Sequence, residues 1–246
     1  MVVETGPRPE QKAQAQNKVN EVEAELPRIE ASLDFITNKE EHDAAAERLA
    51  EHGLLKTREV LGSLMDEITI FASTALFLLG KKKREMGDQD WKTFHVAPGD
   101  LDGAVSSMQA LERIRERLAR IPGIEFGHKE LVTDETRRGE FTGFSGQDTS
   151  LLAGRFPVEF RTVVDGEIKD VVVPYEFELF YKTRMVSEED RKHPLTYKGF
   201  KFLDPNALLR QYNENLEFEE KTGATKKLAK RRRNIEELRT LRQSDG

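Results

Sequence analysis

The feature that most constrains the fold is a long alternating stretch in the second half of the chain. The segment RFPVEFRTVVDGEIKDVVVPYEFELFYK alternates apolar and polar residues on both sides of Asp165-Gly166. Alternation with a period of two is typical of strands that bury one face, and Asp-Gly is a strong signal for a two-residue hairpin turn. We therefore expect an antiparallel hairpin, with a further strand after Pro174, within a β-sheet.

Helical patterns precede this sheet region. Apolar residues recur at three- and four-residue steps from Val19 to Ile36, as one buried stripe of a helix requires. A capping box formed by Thr37 and Glu40 predicts a second helix that ends near Gly53, and the following residues to Met65 are read as another helix.

Two further helices are predicted later in the chain. The segment PGDLDGAVSSMQALERIRERLARIPG has an apolar stripe, with Asp100 as the expected N-cap and a stop at Pro122-Gly123. The tail from Asp204 is also helical in pattern.

Composition excludes several classes of site and partner. The chain has 246 residues and a net charge of -6, so it has no global attraction to nucleic acid or anionic membranes. The absence of cysteine excludes disulfides, thiolate metal sites and thiol catalysis. The most apolar run, Ile68 to Gly80, is shorter than the roughly 20 residues of a membrane helix, and the N-terminus lacks a secretory pattern. We expect a cytoplasmic protein with no membrane partner.

The segment ITIFASTALFLLGKKKREMGDQDW carries the candidate phosphate chemistry. It reads as a short strand, a turn of small residues at Ala72, Ser73 and Thr74, and a helix that runs into a basic cluster. Backbone N–H groups and hydroxyls at the start of a helix hold phosphate oxygens well, because the helix dipole favours negative charge there. Lys83 and Arg84 are candidates for further phosphate contacts, and a cluster that complements the C-terminal dipole explains them equally well.

Two pairs of acids are candidate metal ligands. The segment DQDWKTFHV reads as a strand, so Asp88 and Asp90 share one face, and Glu176 and Glu178 have the same spacing in YEFELF. Mg²⁺ and Mn²⁺ prefer oxygen ligands, and Mg²⁺ usually binds one or two carboxylates together with substrate phosphates. Glu178 is the better third ligand, with Glu176 second. A solvated turn explains the aspartates without a metal, and an exposed strand face explains the glutamates.

In this order the elements resemble the DNA polymerase beta-type nucleotidyltransferase superfamily. ITIFASTALFLLGKKKREMGDQDW is similar to the family's Gly-Ser turn and D-x-D motif, and VAPGDLDGAV resembles the segment after it in the minimal and abortive-infection-type branches. YKGFKFLDPNALLRQY resembles the stretch that follows their catalytic sheet. The resemblance covers roughly residues 67–212. It implies an α+β fold, with a nucleotidyltransferase-like mixed sheet flanked by helices.

The resemblance also implies metal-dependent transfer of an NMP from an NTP to an acceptor. Asp88, Asp90 and Glu178 would then hold two Mg²⁺ or Mn²⁺ ions, and the Ser73 turn would hold the triphosphate. The acceptor stays open between a protein, a tRNA and a small molecule, as does the choice of NTP. Ala72 stands where the family has glycine, and Gln89 where it has an apolar residue, so a catalytically inactive binding or antitoxin-like protein is the alternative.

The predicted organisation has three parts: a helical N-terminal segment over residues 1–62, the nucleotidyltransferase-like domain over residues 63–212 and a basic C-terminal helix over residues 213–246. The apolar stripe of the N-terminal segment suits either self-association or cover for the sheet. The basic residues of the tail suit RNA phosphates, whereas nearby acids favour a solvated helix. These basic residues are Lys226, Lys227 and Lys230 to Arg233. His95 and His128 show no zinc-site spacing.

Overall fold

The fold is built on one mixed β-sheet. The computed structural model describes residues 32–88, 91, 96, 98–130, 150–181, 183, 185–222 and 228–244. The strands are β1 Ile68–Ile70, β2 Asp100–Val105, β3 Glu125–Glu130, β4 Ser150–Val164, β5 Glu167–Phe180, β6 Leu195–Tyr197 and β7 Phe200–Phe202. In this part of the chain seven strands form a sheet in the order β3-β4-β5-β2-β1-β7-β6. Strand β2 lies at the centre, antiparallel to β1 and parallel to β5.

Helices flank the sheet, which confirms the predicted α+β class. They are α1 Lys39–Leu61, α2 Ala72–Glu85, α3 Met108–Leu118, α4 Glu188–Lys192, α5 Pro205–Thr222 and α6 Leu228–Ser244, with a 3₁₀ turn over Gly62–Glu67. The prediction of a strand, a small-residue turn and a helix after Ile68 is confirmed by β1 and α2. No helix in the described ranges is both long and apolar enough to cross a membrane.

The predicted hairpin at Asp165-Gly166 is confirmed. Both residues have positive φ, 54° and 77°, as a type I′ turn between β4 and β5 requires. The expected separate strand after Pro174 is wrong, because β5 runs through this residue. Pro174 of β5 is the register partner of Pro157 of β4, and at this pair the two backbone nitrogens point away from the partner strand. On their other sides, β2 does not reach Pro174 and β3 does not reach Pro157. The two missing donors therefore break no ladder bond.

Helix α1 begins one residue later than the capping box predicts. Its N-cap is Asn38, whose side chain accepts hydrogen bonds from the N–H groups of Glu40 and Glu41. The residues before it form a turn in which Leu33 and Ile36 are buried, so the predicted helical stripe does not extend to them. The rest of that stripe lies outside the described residues.

The sequence predicts that a helix ends near Gly53, and this prediction is wrong. Gly53 instead allows α1 to pack closely on the sheet. Helix α1 continues through it to Leu61 without a break. A Cβ at Gly53 would lie 2.5 Å from the ring of Tyr175 on β5, so only glycine lets the helix approach the sheet this closely. Side chains of α1, α3 and β5 then pack together on this face of the sheet; they include Thr57, Leu61, Leu118, Phe177 and Leu179.

The largest error of the sequence reading concerns the segment that begins at Asp100. The periodicity predicts a helix here, but Asp100–Val105 is strand β2, and helix α3 begins only after Ser107, which is its N-cap. Leu101 is fully buried and Val105 is too, because β2 has a neighbouring strand on each side. Pairing within the sheet therefore overrides the local helical pattern.

Alternation along β2 assigns its residues to the two faces of the sheet. Leu101 and Gly103 share the face beneath α1, since a Cβ on Gly103 would meet the side chains of Ile68 and Leu179. Asp100 and Asp102 consequently belong to the opposite face. Helix α5 packs against α2 and α6. Helix α5 runs through the boundary predicted after residue 212, and the three-part division stays a prediction.

Asp190 joins the short helix α4 to α5. Its carboxylate accepts hydrogen bonds from the backbone N–H of Ser187 at 2.8 Å, from the Ser187 hydroxyl at 2.7 Å and from the guanidinium of Arg210. Burial raises the pKa of Asp190, but the hydrogen bonds from Arg210 and Ser187 outweigh burial and hold the pKa below its ordinary value.

We expect Asp190→Asn to lower the free energy of unfolding by about 1–2 kcal/mol at neutral pH, because it weakens charge-assisted hydrogen bonds. A depressed folded-state pKa means that this stabilisation is complete above the unfolded-state pKa of about 3.9 and is lost as the pH falls through the folded-state pKa. Urea unfolding of both proteins should therefore show a difference that shrinks below about pH 4. The exposed neighbour Glu189→Gln is the control. A difference that stays constant down to low pH would contradict this account.

Candidate functional site

Carboxylates from the two central strands lie side by side on the second face of the sheet. In the parallel register of β2 and β5, Asp100 is the partner of Glu176, and Asp102 is the partner of Glu178. Partner residues of neighbouring strands project to the same face, so the four carboxylates form two adjacent rows. The glutamates predicted from the sequence therefore do lie beside an aspartate pair. That pair is Asp100 and Asp102.

The small-residue turn adjoins the strand that carries these aspartates. The N–H of Phe71 donates to the carbonyl oxygen of Asp102 at 3.0 Å, and the Thr74 hydroxyl donates to the carbonyl oxygen of Asp100 at 2.5 Å. These bonds continue the pairing of β1 with β2 into the first turn of α2. The N-terminus of α2, with its positive dipole end, is thus joined directly to the aspartate strand.

Ala72 adopts a left-handed backbone conformation at the start of α2. Its φ is 54°, which glycine adopts freely and alanine does not. The preceding Phe71 is the N-cap and provides no side-chain hydrogen bond. The N–H of Ala72 instead donates to Oε1 of Gln211 in α5 at 3.2 Å. This geometry explains why the motif that the turn resembles has glycine at this position.

The structure does not place Asp88 near this turn. Asp88 follows the C-terminal end of α2, where its N–H donates to the carbonyl oxygen of Lys83 at 3.1 Å and its carboxylate lies 3.6 Å from Lys83 Nζ. At 1.5 Å per residue, Lys83 is about 16 Å along the helix axis from Ala72. The strand predicted to begin at Asp88 is wrong for this residue, which lies outside any strand. Asp90 and Gln89 lie outside the described residues, so their pairing with Asp88 stays a prediction.

The basic run is also at the far end of α2. Lys81 lies 2.6 Å and Arg84 lies 3.4 Å from the same carboxylate, that of Glu47 in α1. The structure therefore does not bring Lys83 and Arg84 to the Ala72 turn. It supports the alternative interpretation of this cluster, in which basic residues complement the C-terminal dipole of the helix and join it to an acidic neighbour.

Two buried tyrosines lie within electrostatic range of the aspartates, Tyr175 from the α1 face of the sheet and Tyr212 from α5. Burial raises the pKa of the Tyr175 phenol above its ordinary value, the charge of Asp100 raises it further, and contact with Thr74 partly offsets the increase. Burial also raises the pKa of Tyr212 in α5; contact with Asn234 and the charge of Arg231 oppose the increase, and the charge of Asp102 adds to it. Both phenols therefore stay protonated at neutral pH.

The donor set fits a divalent cation that arrives with a nucleotide. Among the residues that the structure describes, no three acidic or histidine side chains converge closely enough to hold an ion by themselves. Mg²⁺ needs no such protein cage, because it commonly binds one or two carboxylates and completes its shell with phosphate oxygens and water. Asp100 and Asp102 supply carboxylates of that kind, with Glu176 and Glu178 in the adjacent row.

Sequence reasoning missed Asp100, Asp102 and two residues of α5. Leu101 between the aspartates is fully buried, and an apolar residue between two acids is a strand signal that DQD lacks. The glycines on either side, at positions 99 and 103, also argue against a helix. Gln211 and Tyr212 carry no such local signal, because their place depends on how α5 packs against α2.

Comparison with solved structures finds proteins of similar fold. A protein from H. pylori assigned as a nucleotidyltransferase is 16% identical, with a TM-score of 0.32, over 69% of this chain and 58% of that one. The Megavirus polyadenylate synthase is 12% identical, with a TM-score of 0.38, over 88% of this chain and 34% of that one. JHP933 from Helicobacter pylori is 17% identical, with a TM-score of 0.30, over 69% of this chain and 56% of that one.

This chain therefore spans less than two thirds of the length of each of these proteins. No protein-family model matches the sequence, and no curated protein is significantly similar to it. The likeness to these structures concerns the fold alone.

Ala72→Gly should raise the free energy of unfolding by about 0.5–1 kcal/mol. Glycine removes a left-handed strain of about 1–2 kcal/mol, whereas its freedom in the unfolded chain costs about 0.4–1 kcal/mol. Ala44→Gly, at an exposed position inside α1, is the matched control and should lower the free energy by about 1 kcal/mol. Urea unfolding measures both changes. Destabilisation by both substitutions would show that Ala72 is not strained.

Proposed function

We propose that this chain is a metal-dependent nucleotidyltransferase that moves an NMP from an NTP to an acceptor. The observation that carries the proposal is the direct joining of an aspartate pair to a helix N-terminus, through the bonds of Phe71 to Asp102 and of Thr74 to Asp100. Carboxylates suit a divalent cation, and the N–H groups of a helix N-terminus suit phosphate. A metal-bound triphosphate needs both in one place.

In this proposal the triphosphate lies between the start of α2 and the acidic rows. The N–H groups of Ser73 and Thr74 and the Ser73 hydroxyl bind phosphate oxygens, helped by the helix dipole. Asp100 and Asp102 would hold the Mg²⁺ or Mn²⁺ that accompanies the nucleotide, phosphate oxygens and water would complete its shell, and Glu178 or, as its alternative, Glu176 would lie beside it in the adjacent row. When bound, such a cation would neutralise phosphate charge and make the acceptor hydroxyl more acidic.

The proposed reaction joins the acceptor to the α-phosphate. The acceptor hydroxyl oxygen forms a bond to the α-phosphorus, the bond from that phosphorus to the bridging oxygen breaks, and pyrophosphate leaves with the bonding electrons. The hydroxyl proton passes to a carboxylate of the adjacent row, for which Glu178 beside Asp102 is the candidate. The positive end of α2 stabilises the charge that develops on the departing pyrophosphate.

The described basic residues of α6 give little support to an RNA acceptor. Arg232 lies 2.7 Å from Glu220, and Arg233 lies 4.0 Å from Glu237, so both cations have acidic neighbours. This arrangement favours a solvated helix over a phosphate-binding one. Lys226 and Lys227 lie outside the described residues. A protein, an RNA or a small molecule with a hydroxyl group each fits the proposal, in the cytoplasm.

A binding protein that keeps the fold without catalysis is the second candidate. Two observations favour it. Ala72 holds its turn at a cost in strain, and its N–H is already bonded to Gln211. In addition, three ligand side chains do not converge anywhere in the described residues. Calorimetry of the protein with Mg²⁺ and each of the four NTPs tests whether it binds a nucleotide at all. The transfer assay below then separates the enzyme from the binding protein.

Asp102→Asn should reduce NMP transfer at least about 100-fold, because it removes a charged ligand from the cation that stabilises the transition state. Transfer is measured as the incorporation of α-labelled NTP into acceptors of a cell extract, with and without nuclease. Glu167→Gln, at the exposed hairpin tip, is the control and should transfer at the wild-type rate. Circular dichroism checks that each variant is folded.

Asp88→Asn separates the two aspartate pairs. The structure places Asp88 at the far end of α2, so we expect transfer to survive this substitution and to be lost with Asp102→Asn. The reverse pattern would reject the Asp100 and Asp102 site and restore the pair Asp88 and Asp90. Metal-dependent NTP binding without any transfer would favour the binding protein.

A further inference from the structure

Gln211 connects helix α5 to the turn at the start of α2. The residue is 1% exposed, and its Oε1 accepts the Ala72 N–H at 3.2 Å across 139 positions of sequence. Its Nε2 lies 3.5 Å from Sδ of Met185, which is a weak acceptor. Both ends of the amide are therefore in contact with described neighbours, and the side chain has little freedom to turn away.

The turn needs an acceptor from outside for two reasons. Ala72 has a φ of 54°, a conformation that is unfavourable for alanine. Helix α2 also lacks a side-chain N-cap, because Phe71 has no oxygen to offer. Gln211 accepts from the Ala72 N–H, which has no partner within the helix, and this bond favours the left-handed conformation in which the N–H points toward α5.

The same turn of α5 also lies near the aspartate strand. Tyr212 follows Gln211 directly, and burial raises the pKa of its phenol, which the charge of Arg231 lowers and that of Asp102 raises to a smaller extent. One helix thus contacts the small-residue turn through Gln211 and comes within electrostatic range of Asp102 through Tyr212.

We propose that Gln211 is a positioning residue for nucleotide binding. It holds the strained Ala72 turn so that the N–H groups of Ser73 and Thr74, which Gln211 leaves unbonded, face the triphosphate. The inference rests on the proposed function. A glycine at position 72 would adopt the left-handed conformation without support, so it would make this role of Gln211 unnecessary.

Gln211→Met removes the acceptor and keeps the length of the side chain. We expect hydrogen exchange of the Ala72 amide to become at least about ten-fold faster and the affinity for Mg²⁺–NTP to fall about ten-fold. Exchange is followed by NMR and affinity by calorimetry with each of the four NTPs. Asn213→Met, at a half-buried position of the same helix, is the control and should leave Ala72 exchange unchanged, because the side chain donates to the Leu209 carbonyl at 2.8 Å and accepts from Arg239 of α6 at 3.3 Å, away from the turn.

Gln211→Glu separates positioning from general stability. A carboxylate keeps an acceptor for the Ala72 N–H, so slow exchange should be preserved. Its negative charge lies near the bound triphosphate and should weaken NTP affinity about ten-fold at low salt, with partial recovery at high salt. If Gln211 only stabilises α5, the Gln211→Glu protein, in which the Ala72 amide still exchanges slowly, should bind NTP with wild-type affinity.

Ala72→Gly tests the coupling between the two residues. Combined with Gln211→Met it should restore most of the lost NTP affinity, and alone it should change affinity less than about three-fold. Unchanged Ala72 exchange in Gln211→Met, or equal loss of affinity with alanine and with glycine at position 72, overturns the proposal. Wild-type protein that binds none of the four NTPs rejects the proposed function instead, while the exchange rates still decide whether Gln211 holds the turn.

Discussion

The pairing of strand β2 between β1 and β5 is the constraint on which the rest of the structure depends. Its parallel register with β5 puts Asp100 and Asp102 beside Glu176 and Glu178 on one face. Its antiparallel pairing with β1 continues through Phe71 into the first turn of α2. A shift of one residue in either register would turn the aspartates toward α1 and separate them from the glutamates.

The acidic rows and the helix N-terminus complement each other electrostatically only when a cation is bound. Carboxylates at neighbouring positions repel one another, and they also repel a triphosphate. The positive end of α2 offsets part of this repulsion, but its dipole is worth only about half a charge. A divalent cation between the carboxylates and the phosphates removes the conflict, which is the physical reason for proposing metal-dependent nucleotide chemistry at this face. Helix α5 adds to the arrangement, since Gln211 accepts a hydrogen bond from the turn and the charge of Asp102 reaches Tyr212.

Much of the fold was predictable from local patterns. The hairpin at Asp165-Gly166, the strand and helix around Ala72 and the helical tail each have a periodicity or a turn signal of their own. The candidate site was predictable in part: the turn lies where the sequence puts it and Glu178 lies in the acidic row, but their roles in phosphate and metal binding stay predictions, and Asp100 and Asp102 were missed. That error arose because Asp100–Val105 reads as the start of an amphipathic helix, and only its two neighbouring strands favour the extended form.

The sequence by itself determined the elements whose signals are local, together with the residue types that suit phosphate and divalent cations. It also determined that alanine occupies the left-handed position at the start of α2, since residue 72 is alanine in the sequence. Only the tertiary structure decided which aspartates share a face with Glu178, and that Gln211 meets Ala72. Strand register and helix packing bring together residues that are far apart in the chain, and such contacts leave no pattern in the residues immediately around them.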